Sequence, residues 1–474
     1  MRLRFLIAPM IWLLAAPALA QQVAAAPLSD AHKANTATLI EKAADDEVGI
    51  GFVRDLTTEV GPRLAGSEQE RIARDWSVAK LTELGFSNVR IETFEIPYWA
   101  RRREGAKITS PTRQKLYITA IGGSTSTPEG GLEAEIVRFS SLNEMFAAPD
   151  TAVAGKMVFI DEPMTRTQDG SGYGQAVAKR RACIGPAIEK GALACLIRSV
   201  GTQTRRFPHT GMGARGEETG PGPVAALSPP DADQLTRLLE KGPVSVKLDL
   251  EVETKAKVES GNVIAEIPGV GDLADEIVLL GCHLDSWDLG TGAIDDGAGC
   301  GIVVGAAKLV DGLDSEPRRT IRVVLYGAEE VGLLGGTAYA IAHEAELGKH
   351  VFASESDFGA DRIWQFSTNF GDGALGYARA MQDVLAPLGI LRGNNSAGGG
   401  PDIGVLRRGG VPVVTPRQNG LDYFDLHHTP DDTFDKIDPD DFNQNVAAYA
   451  AFTYLAAYTG WDFRKAAEET VAGE

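Results

Sequence analysis

Cysteine is scarce in this chain, which has four cysteines among 474 residues. So few thiols cannot form the dense disulfide framework of a small secreted domain. Cys183 and Cys195 stand twelve residues apart, and this spacing leaves open whether they form a disulfide bond. Cys282 and Cys300 lie in apolar runs, where buried free thiols are expected.

Positive charge is also in short supply. The chain has 46 lysine and arginine residues against 65 aspartate and glutamate residues, which gives a formal net charge of −19. Proteins that bind nucleic acid usually carry basic patches, so this balance argues against a nucleic-acid partner. Hydrophobic residues make up 43% and charged residues 23% of the chain, a globular composition that excludes disorder and fibres.

Long apolar runs are missing except at the start of the sequence. Arg2 and Arg4 flank the beginning of an apolar stretch, FLIAPMIWLLAAPALA, which ends in the A-x-A cleavage pattern Ala18-Leu19-Ala20. The stretch is short for a membrane span, and no second one follows. We therefore expect residues 1–20 to be a signal peptide cleaved near Ala20. The mature protein would be exported, periplasmic or secreted, without a membrane span.

Two parts of the chain carry the pattern of an α/β domain. Periodicity in the first part predicts helices over 30–44, 47–60 and 68–84, followed by the strand VRIETFEIPYW. From about residue 258 the pattern becomes strand–helix–strand, with near-continuous apolar strands. This pattern predicts an α/β fold whose mostly parallel sheet is flanked by helices.

The segment between these two parts has a different residue pattern. Short strand-like runs and Gly/Pro-rich turns fill it, and it has only two convincing helices, over 174–190 and 231–241. We interpret it as a β-rich domain inserted into the α/β domain. The predicted organisation is therefore 1–20 signal peptide, 21–110 first part of the α/β domain, 111–255 inserted domain and 256–474 remainder of the α/β domain.

Acidic and histidine residues follow the predicted strands of the last part. Open α/β sheets bind ligands outside the carboxyl ends of their strands, so side chains from different strands meet at one edge. The motifs GCHLDSWDLGTGAIDDGAG, LYGAEEVGLLGG and SESDFG each end a strand, and FDLHHTPDDT precedes the last helix. These motifs supply His283, Asp285, Asp295, Glu329, Glu330, Asp357, His427 and His428.

Five of these side chains would be costly to bring together without a cation, because carboxylates repel one another and lose solvation. They are His283, Asp295, Glu330, Asp357 and His428. Imidazole plus carboxylate suits zinc, whereas an all-oxygen set would suit magnesium or calcium. The set is too large for one catalytic zinc. If Asp295 bridges, each of two zinc ions receives one histidine, one terminal carboxylate and one Asp295 oxygen.

Several other catalytic patterns are absent. The sequence has no G-x-S-x-G elbow and no H-E-x-x-H helix. Its glycine runs lack the G-x-G-x-x-G pattern after a strand, and no Walker sequence is present. These absences argue against an elbow-type serine hydrolase, an H-E-x-x-H metalloprotease, a dinucleotide-binding enzyme and a P-loop nucleotidase.

The combination of motifs resembles the co-catalytic zinc exopeptidases of the bacterial aminopeptidase and glutamate carboxypeptidase group. The resemblance covers most of the mature chain and includes HLDSWDLGTGAIDDGAG, GAEEVG, ESDFG, GGGPDI and DYFDLHHTPDDT. It implies that Glu329 is the general base and Asp295 the bridging ligand. The other implied zinc ligands are His283, Glu330, Asp357 and His428.

The same resemblance has further implications. The inserted segment would be a protease-associated domain, the protein would be a homodimer, and the Asp295–Asp296 peptide bond would be cis. The sequence departs from the family pattern at GGGPDIGVL, where Pro401 and the small residues after Asp402 would change the specificity pocket.

We therefore expect an exported di-zinc exopeptidase, an aminopeptidase or dipeptidase acting on dipeptides or short peptides with a free N-terminus. Asp285 should hold the second ring nitrogen of His283, and Asp432 should do the same near His428. Tyr423 is either a donor to the reaction oxyanion or a packed aromatic residue. Asp402 and His209 are further candidates for substrate contact, the latter in a loop over 205–210 that could reach the product carboxylate.

Three alternatives stay open at this point. A one-zinc acyl transferase of the glutaminyl cyclase type uses a similar scaffold, although the five-ligand set argues against it. A glutamate carboxypeptidase-type enzyme would cleave N-blocked acidic dipeptides. An inactive receptor or scaffold would bind a partner through the inserted domain. The sequence also leaves open the side-chain specificity, the native metal and the physiological substrate.

Overall fold

The computed structural model describes residues 23–213 and 222–466. The predicted signal peptide lies outside the described residues and stays a prediction. The helices are α1 (Asp30–Ala43), α2 (Val48–Glu59), α3 (Glu68–Glu83), α4 (Leu142–Ala147), α5 (Asp150–Val153), α6 (Ser171–Ala182), α7 (Ile184–Glu189), α8 (Pro229–Leu239), α9 (Ala298–Asp311), α10 (Leu334–Ala342), α11 (Leu375–Leu385), α12 (Gly404–Arg408), α13 (Tyr423–Leu426) and α14 (Pro439–Tyr458).

The strands follow the same chain order. They are β1 (Ser87–Ser110), β2 (Gln114–Leu116), β3 (Ile118–Ala120), β4 (Leu132–Phe139), β5 (Met157–Ile160), β6 (Ala194–Arg198), β7 (Val224–Leu227), β8 (Ser245–Ile267), β9 (Ile277–His283), β10 (Thr320–Tyr326), β11 (His350–Glu355), β12 (Ile363–Asn369), β13 (Leu391–Arg392) and β14 (Val413–Gln418).

The three helices predicted in the first part are confirmed to within two residues as α1, α2 and α3. Side-chain caps explain where two of them begin. The hydroxyls of Ser29 and Ser67 accept backbone N–H groups from the first turns of α1 and α3. The last helix, α14, begins in the same way, because Asp438 caps it and Pro439 occupies its first position.

A mixed, mostly parallel sheet forms the centre of the molecule, and we call it the main sheet. Its strand order is β13-β12-β14-β11-β9-β10-β8, and β1 pairs along the far side of β8. Strands β11, β9 and β10 run parallel, while β8 and β12 pair antiparallel with their neighbours β10 and β14. The prediction of a mostly parallel α/β sheet is therefore confirmed for this part.

Both faces of the main sheet are covered, which explains why β9 is an uninterrupted buried apolar run. Val278 and Leu280 face a core that they share with α2, α9 and α14. Ile277 and Leu279 point to the opposite face, where α10 and α12 pack. Because both faces of the sheet are covered by helices, the edge formed by the carboxyl ends of its strands is where a ligand can bind.

Residues 111–244, which we call the insert, contribute to two further apolar cores, one of which they share with the adjoining ends of β1 and β8. Strands β4, β5, β6 and β7 run parallel, and β3 closes the row antiparallel to β7. Five helices, α4 to α8, accompany these strands. The strand-like runs of this segment are confirmed as strands, but the expectation of only two helices is wrong, because α4 and α5 are too short to show periodicity. The single helix expected over 174–190 is two helices that meet at Cys183, just before Pro186.

The long strands β1 and β8 join the insert to the main sheet. They pair antiparallel along almost their whole length, from Ser87 opposite Glu266 to Ser110 opposite Ser245. The boundary predicted at residue 255 falls inside β8, which continues without interruption into the main sheet. The insert is thus carried on a two-stranded ribbon.

All four cysteines form disulfide bonds, Cys183 with Cys195 and Cys282 with Cys300. The expectation of free thiols at Cys282 and Cys300 is wrong. These residues lie on β9 and on α9, which packs against β9, and their Cα atoms are 5.0 Å apart, within the range for a disulfide bond. No helix within residues 23–213 and 222–466 is both long and apolar enough to cross a membrane.

Candidate metal centre

The carboxyl edge of the main sheet collects the side chains that the sequence singled out. His283 is the last residue of β9, Glu330 lies four residues beyond the end of β10, and Asp357 lies two residues beyond the end of β11. Asp295 stands just before α9, and His428 follows α13. All five are largely buried, and they form two groups around Asp295.

In the first group, His283 Nε2 lies 3.1 Å from Asp295 Oδ1 and 3.5 Å from Asp357 Oδ1. In the second group, His428 Nε2 lies 3.1 Å from Asp295 Oδ2 and 2.9 Å from Glu330 Oε2. Each group therefore contains one imidazole nitrogen, one terminal carboxylate and one oxygen of Asp295. The Asp295–Asp296 peptide bond is cis, as the resemblance predicted.

The donor atoms fit a divalent metal. Single ligand atoms of His283, Asp295 and Glu330 all lie within 4.8 Å of one another. Glu330 Oε1 is buried and has no hydrogen-bond partner. Two imidazole nitrogens with several carboxylates are the ligand set that zinc prefers, and a cation would supply the partner that these buried oxygens lack.

Without a metal ion, burial and the neighbouring charges shift the pKa values of the carboxylates and imidazoles at the centre in opposite directions. Burial opposes ionisation, but the imidazoles of His283 and His428 outweigh it and hold the pKa of Asp295 well below its usual value. Burial would lower the pKa of His428, yet Glu330 and Asp295 raise it to about 10. Burial would likewise lower the pKa of His283, but Asp357 and Asp295 outweigh it and raise this pKa well above its usual value, so a metal ion would displace a proton from each Nε2 on binding.

Backbone carbonyls, not carboxylates, hold the second nitrogen of both histidines. His283 Nδ1 lies 2.8 Å from the carbonyl oxygen of Asp285, and His428 Nδ1 lies 3.3 Å from that of Thr210. Because a carbonyl can only accept, each Nδ1 carries the proton and each Nε2 is free for a metal. Asp285 thus holds the His283 ring as expected, but through its backbone carbonyl, and its Oδ1 lies 3.8 Å from Nδ1. The role expected for Asp432 toward His428 is wrong.

Both carboxylates instead bind backbone N–H groups of the loops at the centre. Asp285 accepts from the N–H groups of Glu329 at 3.0 Å and of Glu330 at 3.3 Å. Asp432 accepts from the N–H of Ile294 at 2.6 Å. The side chain of Asp285 thus positions the Glu-Glu pair, and Asp432 positions the segment that leads to Asp295.

Glu329 lines a cavity of about 310 Å³ beside the two groups. Burial raises the pKa of its carboxyl group well above the usual value, and the neighbouring Asp357 and Glu330 raise it further. Asp295, Asp357, Pro401 and His428 line the same cavity. A carboxyl group with a raised pKa at the wall of a cavity is suited to accept and return a proton.

The structure separates the three candidates for substrate contact. Tyr423 lines the cavity and stacks on Phe358 at a centroid distance of 4.6 Å. Asp402 is buried, and its Oδ1 accepts the Gly336 N–H at 2.9 Å, so it stands behind the wall. His209 is 1% exposed, and burial lowers its pKa to about 3. His209 is not among the residues that line the cavity, and its contact with substrate stays a prediction.

The two arginines of the loop over 205–210 form ion pairs with other residues of the chain. Arg205 forms an ion pair with Asp431, and Arg206 pairs with Asp231 at 2.7 Å. The cations that do line the cavity are Arg180 and Arg181 on α6, which sequence reasoning missed. Their sequence, KRRA, looks like an exposed helix face, and only the position of the insert brings them to the metal centre.

Arg63 is a second residue that the sequence did not single out. It is fully buried, and its guanidinium group donates to the carbonyl oxygens of Gly61, Leu284, Thr291 and Gly292 at 2.6–2.9 Å. Burial lowers its pKa to about 10, although nearby aspartates oppose this. One side chain thereby holds the whole loop between β9 and the aspartate pair.

Replacing Arg63 with methionine should lower the free energy of unfolding by at least about 3 kcal/mol, because four buried carbonyls lose their donor. Urea unfolding of the metal-loaded protein measures this effect. The matched control is Arg54→Met, at an exposed residue that pairs with Asp55 at 2.9 Å. That change should cost about 0–1 kcal/mol. Equal effects of the two substitutions would contradict the role assigned to Arg63.

Comparison with protein families matches residues 262–453 to "Peptidase family M28". Carboxypeptidase Q from Mus musculus is 33% identical over 403 residues, which cover 85% of this chain and 84% of that protein. Aminopeptidase YwaD from Bacillus subtilis (strain 168) is 24% identical, with 85% and 83% covered.

Solved structures agree with this match. A peptidase M28 precursor from Shewanella amazonensis SB2B superposes with a TM-score of 0.90 at 48% identity, covering 93% of this chain and 100% of that one. A zinc aminopeptidase from Bacillus subtilis gives a TM-score of 0.63 at 20% identity, with 89% and 98% covered, and this likeness concerns the fold.

Proposed function

The chain belongs to peptidase family M28 and is a metallo-exopeptidase related to carboxypeptidase Q and bacterial aminopeptidases; on this basis we propose that it is a di-zinc aminopeptidase or dipeptidase acting on short peptides with a free amino end. The observation that carries the proposal is the division of the centre into two groups that share Asp295. Two metals with one bridging carboxylate are the arrangement of co-catalytic hydrolases.

The proposed reaction divides the work among this chain's residues. Zinc ions held by the two groups would polarise the scissile carbonyl and lower the pKa of the attacking water. Glu329 takes the proton of that water and returns it to the leaving amine. Asp285 keeps Glu329 at the cavity wall by holding the backbone N–H of Glu329. Tyr423 lines the side of the cavity from which a hydroxyl could reach the developing oxyanion.

The charges around the cavity support small substrates with both ends free. Carboxylates of the centre attract the α-ammonium group of a peptide. On the insert side, Arg181 is exposed and lines the cavity, where it can receive the carboxylate of a dipeptide. Arg180 is tied to the carbonyls of Met212 and Thr210 and to the Tyr173 hydroxyl, so it stiffens this wall.

Further parts of the proposal rest on the resemblance to the family. The insert is a protease-associated domain, with domain limits near 111 and 255, and it restricts the length of the substrate. The residue pattern of the first twenty positions, independently of the resemblance, supports a signal peptide, and the protein is then exported and acts in the periplasm or outside the cell. The mature protein forms a homodimer.

A second candidate is cleavage of N-blocked acidic dipeptides, as in a glutamate carboxypeptidase. The observation that favours it is the exposed Arg181 on α6, whose guanidinium group could receive an acidic C-terminal residue. The two candidates differ in the substrate's amino end, which is free in the first and acylated in the second.

A matched panel of peptides distinguishes the candidates. Free dipeptides should be cleaved with a kcat/KM at least about tenfold above that of their N-acetylated forms, because acetylation removes an ammonium–carboxylate interaction worth about 1.4 kcal/mol or more. Lengthening the peptide at its C-terminus should slow cleavage. Preferential cleavage of N-acetylated acidic dipeptides would favour the second candidate, and no cleavage by the zinc-loaded protein would indicate an inactive scaffold.

A further inference from the structure

A second basic feature lies where the insert joins the ends of β1 and β8, away from the metal centre. A cavity of about 520 Å³ opens on the solvent face of the insert sheet. Its charged lining consists of Lys107 on β1, Arg113 in the following turn, Lys115 on β2, and Lys247 and Asp249 on β8. Four cations thus meet one carboxylate in a protein whose overall charge is −19.

Strand register places three of these lysines in one row. Lys107 lies directly opposite Lys115 on one side and directly opposite Lys247 on the other. Their sequence neighbours Ala106, Leu116 and Leu248 alternate to the opposite face and are buried in the core of the insert. Adjacent strands are about 4.8 Å apart, so the row spans about 10 Å. Like charges directly opposite each other destabilise a sheet, unless an anion lies between them.

None of the four cations is neutralised by the part of the chain that the structure describes. Lys107, Arg113, Lys115 and Lys247 take part in no ion pair among these residues, and Lys115 has only a cation–π contact with Tyr117. The single carboxylate, Asp249, already pairs with Arg103 at 3.4 Å.

A second acidic residue, Glu133, lies at the end of the lysine row. Glu133 lies opposite Lys247 on β4, and it accepts the Thr109 hydroxyl at 2.7 Å. Glu133 keeps its charge but forms no ion pair with Lys247 among the described residues, so the four cations are open to a ligand from outside the chain.

We propose that this cavity binds a compact soluble anion that carries two or more phosphate groups. Lysine ammonium groups act as point charges that suit phosphate oxygens. A ligand with separated phosphates can contact both ends of the row. The backbones of Gly105 and Gly130 leave open space beside the row, which gives a small molecule room between the lysines. None of the lining residues belongs to the metal centre, so the proposal is independent of the proposed peptidase function.

Calorimetric titration of the zinc-loaded chain with fructose 1,6-bisphosphate tests the proposal. At low ionic strength the wild-type protein should bind this probe, and added salt should weaken binding because the charges are exposed. The combined change Lys107→Gln, Lys115→Gln and Lys247→Gln should weaken binding at least about tenfold, which corresponds to about 1.4 kcal/mol. Hydrolysis of a good dipeptide should stay within about twofold of wild type.

A matched variant controls for net charge. The changes Lys42→Gln, Lys241→Gln and Lys349→Gln remove three exposed lysines elsewhere and should leave bisphosphate affinity unchanged. The proposal is overturned if wild-type protein does not bind the bisphosphate, or if the two triple variants bind it equally. Sedimentation with phosphatidylglycerol vesicles is the second arm. Lysine-dependent binding to vesicles without binding to the bisphosphate would assign the cavity to a membrane surface and overturn the assignment of a soluble ligand.

Discussion

The substitution Glu329→Gln should lower kcat by about 10²–10⁴-fold and leave the zinc content nearly unchanged. Glutamine keeps the size of the side chain but cannot take a proton from water. The Glu329 backbone stays fixed by its N–H bond to Asp285, and its carboxylate is outside the two ligand groups. The loss should therefore fall on the chemical step, with KM altered little.

Two controls accompany this measurement. Glu344→Gln, at an exposed residue in the same part of the chain, should retain wild-type kcat. Glu330→Gln should reduce the zinc content, since Glu330 Oε2 lies 2.9 Å from His428 Nε2 within a ligand group. Single-turnover rates and metal analysis on the same preparations separate the two roles. A Glu329→Gln enzyme with near-wild-type turnover would refute the assignment of the base.

Removing the shared carboxylate should have the other large effect. Asp295→Ala should release metal from both groups and lower kcat/KM by about 10³-fold or more, because the metals supply several kcal/mol of transition-state stabilisation. Each oxygen of Asp295 faces a different histidine at 3.1 Å, so both groups lose a ligand at once.

The stoichiometry of the metal distinguishes a shared ligand from an ordinary one. Asp357→Asn affects the first group alone and should preferentially lower occupancy there, so zinc per chain should stay above that of Asp295→Ala. Plasma mass spectrometry after gel filtration measures this ratio. If Asp295→Ala kept one tightly bound zinc and Asp357→Asn kept none, Asp295 would not be the bridge.

The sequence predicted the catalytic edge well because its signals are local. His283, Glu330 and Asp357 each follow an apolar strand, and parallel strands in one sheet bring their carboxyl ends together. The helices of the first part were predictable for the same reason, since caps and periodicity act within a few residues. Asp295 and His428 lie in loops without a periodic signal, so only their residue types in the D-D and H-H motifs indicated them, and the family resemblance then implied their roles.

Features that depend on distant backbone were not predictable. Arg63 binds carbonyls more than 200 residues away, and a carbonyl oxygen carries no mark in the sequence. The same reason explains why the ring of His428 is held by the carbonyl of Thr210, which is more than 200 residues away in sequence, rather than by an acid of its own loop. His209 has the residue type of a site residue, but only tertiary packing shows that it is buried.

The long two-stranded ribbon makes the insert a removable module. Ile96 lies opposite Val258 in the register of β1 and β8, so a tight hairpin turn placed there would rejoin the chain with the main sheet intact. The truncated protein would keep both ligand groups. It would lose the carbonyl of Thr210 behind His428, together with the arginine-bearing wall formed by α6. The cleft of this shortened enzyme would be open to solvent. The enzyme would accept larger peptides and would no longer select substrates by their length.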